Sequence, residues 1–533
     1  MSFRPNESQQ LSIFDCSNVL TPREQKALNN SWAGVFAEEI FPNIDEKRFS
    51  VLYSDKASRP NTPVNVILGA LIIKELLDLS DDEVVESLML DFRFRYALHT
   101  TSFEEQPLSD KSLTRFRQRC YDYEETTGID LYHDFVTDLA KSTAKLMKLD
   151  GRIRRMDSLM VEANIRKLSR MELLYRCISK LIKYLEKNGM TDRIFPMNHY
   201  CEDDDFNQFI YHSRSTDTDK RIEILLKDAD TLLERCKDLE DLTEYQLLVR
   251  CIAEQTVIEE NKRRLKTQSD GLMSSNLLQS PTDPDATYRT KAGKQHRGYS
   301  ANVEETVGEN GSVITDYQFE KNNVSDSAML KGYLEEMESQ EEKTILLTDG
   351  AYSGTENSEL AESKNVELVT TDLVGKDVDI VMGAFEFNED GTKVLKCPAG
   401  NEPKSCTYIS QTGICQVSFK KEICEQCPYK THCHPKKYKR VCKVTVSKTM
   451  RERARYKAKM DTEEFRCLSR LRNGVETIPS ILKNKYNVNR MHAHGLKRCK
   501  FFFGSKISAV NFNKLFRCRK GTGHYAKNPI LIG

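Results

Sequence analysis

The chain has 533 residues, enough for about three to four domains, and its 39% hydrophobic and 30% charged residues predict that most of it folds. It has no apolar run approaching 18 residues and no apolar signal-peptide core at its start, so we expect a cytoplasmic protein with no membrane contact. Its sixteen Cys then lie in a reducing compartment, where clustered thiols typically bind metal.

The charge is balanced overall but uneven along the chain. The 80 basic and 80 acidic residues cancel, yet residues 416–460 hold 14 Lys/Arg against three Glu, and residues 483–520 hold 11 with no acid. Five Phe lie within the second block, which indicates folded surface rather than a solvated tail. These blocks predict that one face of the protein meets a polyanion such as nucleic acid.

The N-terminal region is predicted to be helical. Residues 1–45 form a lead-in with one short helix after Thr21, and residues 46–145 form a compact helical domain, a candidate for DNA binding. Its first helix follows a cap at Thr62, its second begins with a capping box at 80–83, and its third opens at Ser109. The third helix carries Arg115 and Arg119, which contact DNA if it acts as a recognition helix; a solvated basic face explains them equally well.

The middle of the chain has a mixed α/β pattern. Residues 150–165 form a core strand that contains Asp157, and 166–265 return to helical spacing as an inserted helical hairpin with an exposed acidic loop. Beyond it we predict a strand hairpin at 298–307 and 311–319, a helix at 325–337, and buried strands at 344–348 and 366–371. Residues 150–378 therefore form the first part of an α/β core.

Three acids are candidates for one catalytic site. Asp157 lies on the first strand, Asp349 follows the strand at 344–348 within TDGAYSG, and Glu476 lies in a later helical region. Carboxylates brought together repel one another unless a cation compensates them, and Mg²⁺ prefers oxygen ligands. Taken singly, each is an ordinary capping, turn or surface acid, and Glu463 or Glu464 competes for the third position.

These motifs resemble the bacterial insertion-sequence transposases of DDE type over about residues 45–520. Asp157, Asp349 and Glu476 match the family's acids in order, and Arg472, Glu476 and Lys483 match the spacing of its tyrosine-arginine-glutamate-lysine signature, in which Ser469 replaces the tyrosine. The segments RPNTPVNVILGALI and DPDATYRTKAGKQHRGYSANVEET also resemble family regions. The resemblance implies an RNase H-like mixed sheet core, which continues through a C-terminal helical part at 446–533.

The resemblance also implies a mechanism. Two Mg²⁺ ions held by the three acids activate water to cut a DNA strand, and then a 3′-hydroxyl to join it to target DNA. Arg472 and Lys483 reach DNA phosphates on either side of the scissile bond. The alternative for Arg472 is a helical ion pair with Glu476 at i, i+4, worth only about 0.2–0.5 kcal/mol.

A cysteine-rich insertion at 385–445 separates Asp349 from Glu476. Seven of the sixteen Cys fall between 397 and 442, and their spacing indicates a structural zinc site made by four thiolates. We expect the ligands to be Cys397, Cys424, Cys427 and Cys433, with His434, Cys406, Cys415 and Cys442 as alternatives. The competing interpretation is a set of reduced thiols that bind no metal.

The sequence therefore predicts a DNA transposase that cuts insertion-sequence ends and transfers them to target DNA. Its expected partners are terminal-repeat and target DNA, and cutting two ends requires at least a homodimer in the DNA complex. A non-catalytic DNA-binding protein derived from a transposase is one alternative, although DNA binding alone does not require the intact acids. A metal-dependent DNA nuclease without strand transfer is the other.

Overall fold

The computed structural model describes residues 1–521 except 7–15, 55, 57–58, 101–107, 110, 213–216, 261, 272–273, 292, 374 and 376. The last twelve residues of the expected C-terminal part lie outside the described residues. No helix in the described ranges is long and apolar enough to cross a membrane.

Helices form the N-terminal region, and two of them begin with a capping box, of which the sequence analysis predicted the one at 80–83. Thr21 and Glu24 cap α1, and Ser80 and Glu83 cap α4. The predicted start of the third helix at Ser109 is wrong, because this helix, α6, begins at Ser112. The Ser109 hydroxyl instead forms a hydrogen bond with the Ser112 hydroxyl. The helices are α1 (Pro22–Asn29), α2 (Trp32–Val35), α3 (Val64–Leu77), α4 (Asp81–Leu90), α5 (Phe92–Ala97), α6 (Ser112–Thr127) and α7 (Leu131–Leu146).

The first strand leads directly into a helical insertion with its own apolar core. The long helices α8, α10 and α11 bury the stripes that their spacing predicts, around Leu181, Leu226 and Leu248. The elements are β1 (Ile153–Glu162), α8 (Arg170–Lys187), α9 (Asp205–Ile210), α10 (Thr218–Arg235), α11 (Thr243–Gln255), β2 (Thr256–Glu259) and β3 (Lys262–Leu265).

The chain then returns to β1 and completes the main sheet. This part comprises β4 (Thr287–Lys291), β5 (Lys294–Gly308), β6 (Gly311–Lys321), α12 (Asp326–Glu336), β7 (Thr344–Thr348), α13 (Thr355–Ser363) and β8 (Val366–Thr370). The sheet order is β4-β5-β1-β7-β8, and β6 also pairs with β5. β1 runs parallel to β7 and antiparallel to β5, and β7 runs parallel to β8. The predicted hairpin and both buried strands are thus present in a mixed sheet.

The cysteine-rich region forms a second sheet that the sequence analysis did not anticipate. Its order is β11-β12-β14-β13, and Val417, Phe419 and Val446 give it an apolar core. The elements are β9 (Glu386–Phe387), β10 (Val394–Lys396), β11 (Ser405–Ile409), β12 (Ile414–Lys420), α14 (Lys421–Glu425), α15 (Lys430–Cys433), β13 (Lys436–Lys437) and β14 (Val441–Ser447).

Four helices end the described chain, and the last packs against both the N-terminal helices and the main sheet. They are α16 (Lys448–Met460), α17 (Glu463–Asn473), α18 (Thr477–Asn484) and α19 (Leu496–Arg519). Phe501, Phe503 and Phe512 of α19 belong to the core that also contains residues of α3 and β5. A single core therefore joins both ends of the chain to one face of the sheet.

The second basic block is less available to DNA than its charge suggests. Lys500 pairs with Asp130 at 2.9 Å, and other α19 cations pair with acids far away in the sequence. These further pairs are Lys506 with Glu75, Lys514 with Glu305, and Arg519 with Glu39. These four cations have acidic partners within the chain, and the role of the block in DNA binding stays a prediction.

Candidate active site

Two of the predicted acids lie on neighbouring parallel strands. Asp157 is within β1, and Asp349 immediately follows β7. The pairing of β1 with β7 places Arg155 opposite Leu347, so continuing that register by two residues brings Asp157 level with Asp349. Both side chains are partly accessible, with 15% and 31% of their surface exposed.

A buried arginine fixes the third acid relative to the sheet. Arg155, two residues before Asp157, is 1% exposed; its Nε donates to Glu305 at 2.6 Å and its Nη1 donates to the Leu471 carbonyl at 2.5 Å. Leu471 is in the last turn of α17, and Glu476 lies in the 3₁₀ turn that follows. Arg155 therefore ties the end of α17 to the strand that carries Asp157.

The Arg155 partner Glu305 is ionised despite complete burial. Burial alone would raise its pKa, but the neighbouring Arg155 and Lys514 cations outweigh that effect and lower the pKa to about 2. An ion pair with Glu305 of β5 thus holds Arg155 in place, and the same guanidinium donates to the Leu471 carbonyl of α17.

Arg472 joins all three acids through one guanidinium. Its Nη1 lies 2.6 Å from Glu476 Oε1, while its Nη2 lies 3.5 Å from Asp157 Oδ1 and 3.6 Å from Asp349 Oδ2. Its side chain is 8% exposed. The guanidinium lies among carboxylates in this structure, and the contact of Arg472 with DNA phosphates stays a prediction. The i, i+4 pair with Glu476 is present, but it is one part of a larger cluster.

The cluster perturbs the protonation of Asp157. Burial raises its pKa to about 6, and the Asp349 carboxylate adds to the rise, whereas Arg472 and the Ser158 backbone N–H oppose it. Because the three carboxylates share one guanidinium, the contacts of Arg472 compensate their negative charge only in part.

The competing third acid is placed elsewhere. Glu463 is 67% exposed at the start of α17, where it pairs with Arg470 at 3.5 Å. Glu476 instead shares Arg472 with both aspartates, so the geometry favours Glu476 over Glu463 as the third acid.

The other predicted DNA-contacting residues lie in two regions. Lys483 is on α18, seven residues beyond Glu476, and burial lowers its pKa. Arg115 is exposed on α6, whereas the Arg119 guanidinium stacks 4.6 Å from the centre of the Tyr53 ring. Arg115 and Arg119 remain predictions as DNA-binding residues.

The four predicted zinc ligands line one small cavity. Cys397, Cys424, Cys427 and Cys433 all border an opening of about 20 Å³ at the edge of the second sheet. Burial raises the pKa of Cys424 to about 12 and that of Cys433 to about 11, and neighbouring thiols contribute to both rises. In the described part of the chain, however, no group of three or more His, Cys, Asp or Glu side chains is arranged as a metal-binding cluster.

Several residues around the acids were not identified from the sequence. Arg155 interrupts the apolar run of β1, which was a usable signal, because a buried arginine needs specific partners. Tyr352, within TDGAYSG, is fully buried and donates to Asn302 Oδ1 at 2.8 Å. Lys291 donates to the Ser158 hydroxyl at 3.3 Å, beside Asp157.

Comparison with known proteins identifies domains at both ends of the chain. A family model described as a transposase DDE domain matches residues 396–516, and one described as a transposase domain (DUF772) matches residues 24–119. The first includes Arg472, Glu476 and Lys483 but neither aspartate. Searches of the curated proteins and of the solved structures found no match. Both matches are to transposase domains, and they support the resemblance of the chain to the DDE-type insertion-sequence transposases.

Proposed function

We propose that this transposase cuts DNA at insertion-sequence ends and joins the freed 3′ ends to target DNA, using Asp157, Asp349 and Glu476. The observation that carries the proposal is the contact of all three acids with the single buried guanidinium of Arg472. Residues separated by as many as 319 positions in the sequence thus converge on one point. Ordinary surface acids have no reason to converge in this way.

The proposal includes an RNase H-like core. Taking β1, β5, β6, β7 and β8 as its five strands, the spatial order is β6-β5-β1-β7-β8, and β5 is antiparallel to both of its neighbours, β1 and β6. This order supports the assignment, and both aspartates lie on its central parallel pair.

The chemistry of the acid cluster fits Mg²⁺. Its donors are carboxylate oxygens, and three carboxylates share one guanidinium, which leaves negative charge that a divalent cation would compensate. Asp157, Asp349 and Glu476 would hold the metal, two ions being the expected number. When bound, Mg²⁺ would stabilise the attacking and leaving oxygens of an in-line phosphoryl transfer.

The protein itself positions these groups. Arg155 holds the α17 end against β1, and Arg472 contacts all three carboxylates. Lys483, Arg115 and Arg119 are the proposed contacts with DNA phosphates. Because two element ends must be cut, we propose a homodimer or larger assembly in the DNA complex.

Zinc is proposed as a structural cofactor. Cys397, Cys424, Cys427 and Cys433 border the same cavity, and four thiolates are a donor set that Zn²⁺ prefers. Four protein ligands would leave no open position, so the role of the zinc would be to hold the Cys-rich module together.

Cleavage and joining should be measured with DNA that flanks the coding sequence and with Mg²⁺ present. Wild type should cut and join, whereas Asp349→Asn and Glu476→Gln should bind the same DNA and do neither. Glu463→Gln is the matched control, because it removes an acid from the same helical region without touching Arg472, and it should act as wild type.

Two outcomes would replace the proposal. If all four proteins bind DNA and none cuts it, the chain is a non-catalytic DNA-binding derivative. If wild type cuts but never joins, it is a nuclease without strand transfer.

A further inference from the structure

A basic hairpin lies beside the acid cluster. Strands β4 and β5 form an antiparallel hairpin in which Lys291 and Lys294 are the last paired residues before the turn. Both lysines are exposed. Like charges placed directly opposite each other on paired strands are destabilising, so an anion bound at this position would relieve a repulsion.

The base of the hairpin is fixed to the main sheet. Thr287 donates to the fully buried Asn322 at 2.8 Å, and the Asn322 side chain donates to the His296 carbonyl at 3.2 Å. On the other side, Glu162 at the end of β1 bonds the His296 ring and accepts from the Arg297 backbone N–H at 3.1 Å. The two lysines are therefore held on a braced support.

The hairpin lysines approach the acid cluster and a third cation. Lys291 Nζ lies 3.3 Å from the hydroxyl of Ser158, the residue after Asp157. Burial lowers the pKa of Lys483, and the charges of Lys291 and Lys294 lower it further while Glu162 opposes them. Lys483 therefore lies close enough to both hairpin lysines to feel their charges.

Nearby acids compensate this group only in part. Asp326 lies 3.6 Å from Lys291, and Glu162 is already bonded to His296. Neither Lys294 nor Lys483 forms an ion pair with a described residue. Three ammonium groups thus lie near one another beside the acid cluster, which is the charge pattern that a nucleic-acid backbone neutralises.

We propose that Lys291 and Lys294 bind backbone phosphates of the DNA strand next to the bond that is cut at the acid cluster. The inference rests on the proposed function and extends it to residues outside the three acids and the arginine-glutamate-lysine signature. The contacts are with phosphates, so they position DNA without selecting its sequence.

Salt-dependent binding tests the proposal. The full-length protein is titrated with a fluorescein-labelled duplex made from DNA flanking the coding sequence, and with a scrambled duplex of equal length. Each phosphate contact contributes about 1 to the slope of log affinity against log salt concentration. Lys294→Gln should reduce the slope by about 1 and Lys291→Gln/Lys294→Gln by about 2, equally for both duplexes.

Lys183→Gln/Lys187→Gln is the matched control, since it removes two exposed charges from α8 in the helical insertion. Its slope should equal that of wild type. Unchanged slopes in the hairpin variants, or an equal loss in the control, would overturn the proposal. DNA cleavage by wild type, measured in parallel, separates the hairpin inference from the proposed function. If wild type cuts DNA and the salt-dependence slopes of the hairpin variants equal that of wild type, only the hairpin inference fails. If wild type does not cut, the proposed function is refuted.

Discussion

Gly474 is the residue whose substitution best tests how the site is assembled. It lies between α17 and Glu476, with φ −61° and ψ −25°, so its backbone suits any L-residue. Its constraint is space, because a Cβ at this position would lie closer than 3.0 Å to Arg155 Nη1. Gly474→Ala therefore pushes against the side chain that ties α17 to β1.

The structure gives the size of the effect. If Arg155 stays in place, the overpacking costs about 1–3 kcal/mol. If it moves, it gives up its bonds to Glu305 and to the Leu471 carbonyl, and breaking a buried ion pair costs about 3–5 kcal/mol. Either response lowers the free energy of unfolding and shifts Glu476 relative to Asp157, so Mg²⁺-dependent cleavage should also fall.

The assay compares thermal unfolding midpoints and cleavage rates with a matched control. Gly332→Ala adds the same methyl group within α12, where its nearest neighbour is Gln318 Nε2 at 3.5 Å, an ordinary contact. It should be neutral or stabilising by up to about 1 kcal/mol. Wild-type stability and cleavage in Gly474→Ala would refute the proposed role of Arg155 in positioning the acids.

Three further predictions concern charge and metal. Arg472→Gln removes the cation that the three acids share, so the free energy of unfolding of the metal-free variant should fall by about 3 kcal/mol. The variant should also bind Mn²⁺ more tightly than wild type in calorimetry. Equal or weaker Mn²⁺ binding would contradict the role of Arg472 in compensating the acids. Because the pKa of Glu305 is lowered, its ionised form stabilises the fold by about 3 kcal/mol; this contribution is complete above about pH 5 and is lost as the pH falls toward 2. Glu305→Gln should lack this component in acid denaturation. An unchanged acid transition in the variant would count against the Arg155–Glu305 ion pair. Metal analysis of the purified protein should find about one zinc ion per chain. Cys427→Ser should lose this zinc, whereas the control Cys518→Ser should keep it. A metal-free wild type would disprove the zinc site.

Local sequence patterns predicted the main sheet well because its strands are short apolar runs ended by turn residues. The strand at 344–348 and the Asn-Gly hairpin at 310–311 have these signals, so the positions of Asp157 and Asp349 on strands followed directly. The capping box at Ser80 was equally local. Each of these features depends on residues within a few positions of one another.

Features that depend on distant contacts were not predictable in the same way. The spacing of Arg472 indicated its pair with Glu476 but not its contacts with two aspartates on strands more than 100 residues away. The lysines of α19 appeared to be free DNA-binding charges, yet Lys506 pairs with Glu75, 431 positions earlier. Partners for buried charges are chosen by the tertiary fold, which a linear pattern does not specify.

Strand joining tests the central claim most directly. A labelled element end that is already cut, with a 3′-hydroxyl, is mixed with supercoiled plasmid and Mg²⁺, and its 3′-deoxy counterpart serves as the control. Wild type should attach the label covalently to the plasmid only when the 3′-hydroxyl is present, and Asp157→Asn should attach none. Cleavage of intact ends by wild type without any labelled plasmid would contradict transposition by this site and leave a nuclease.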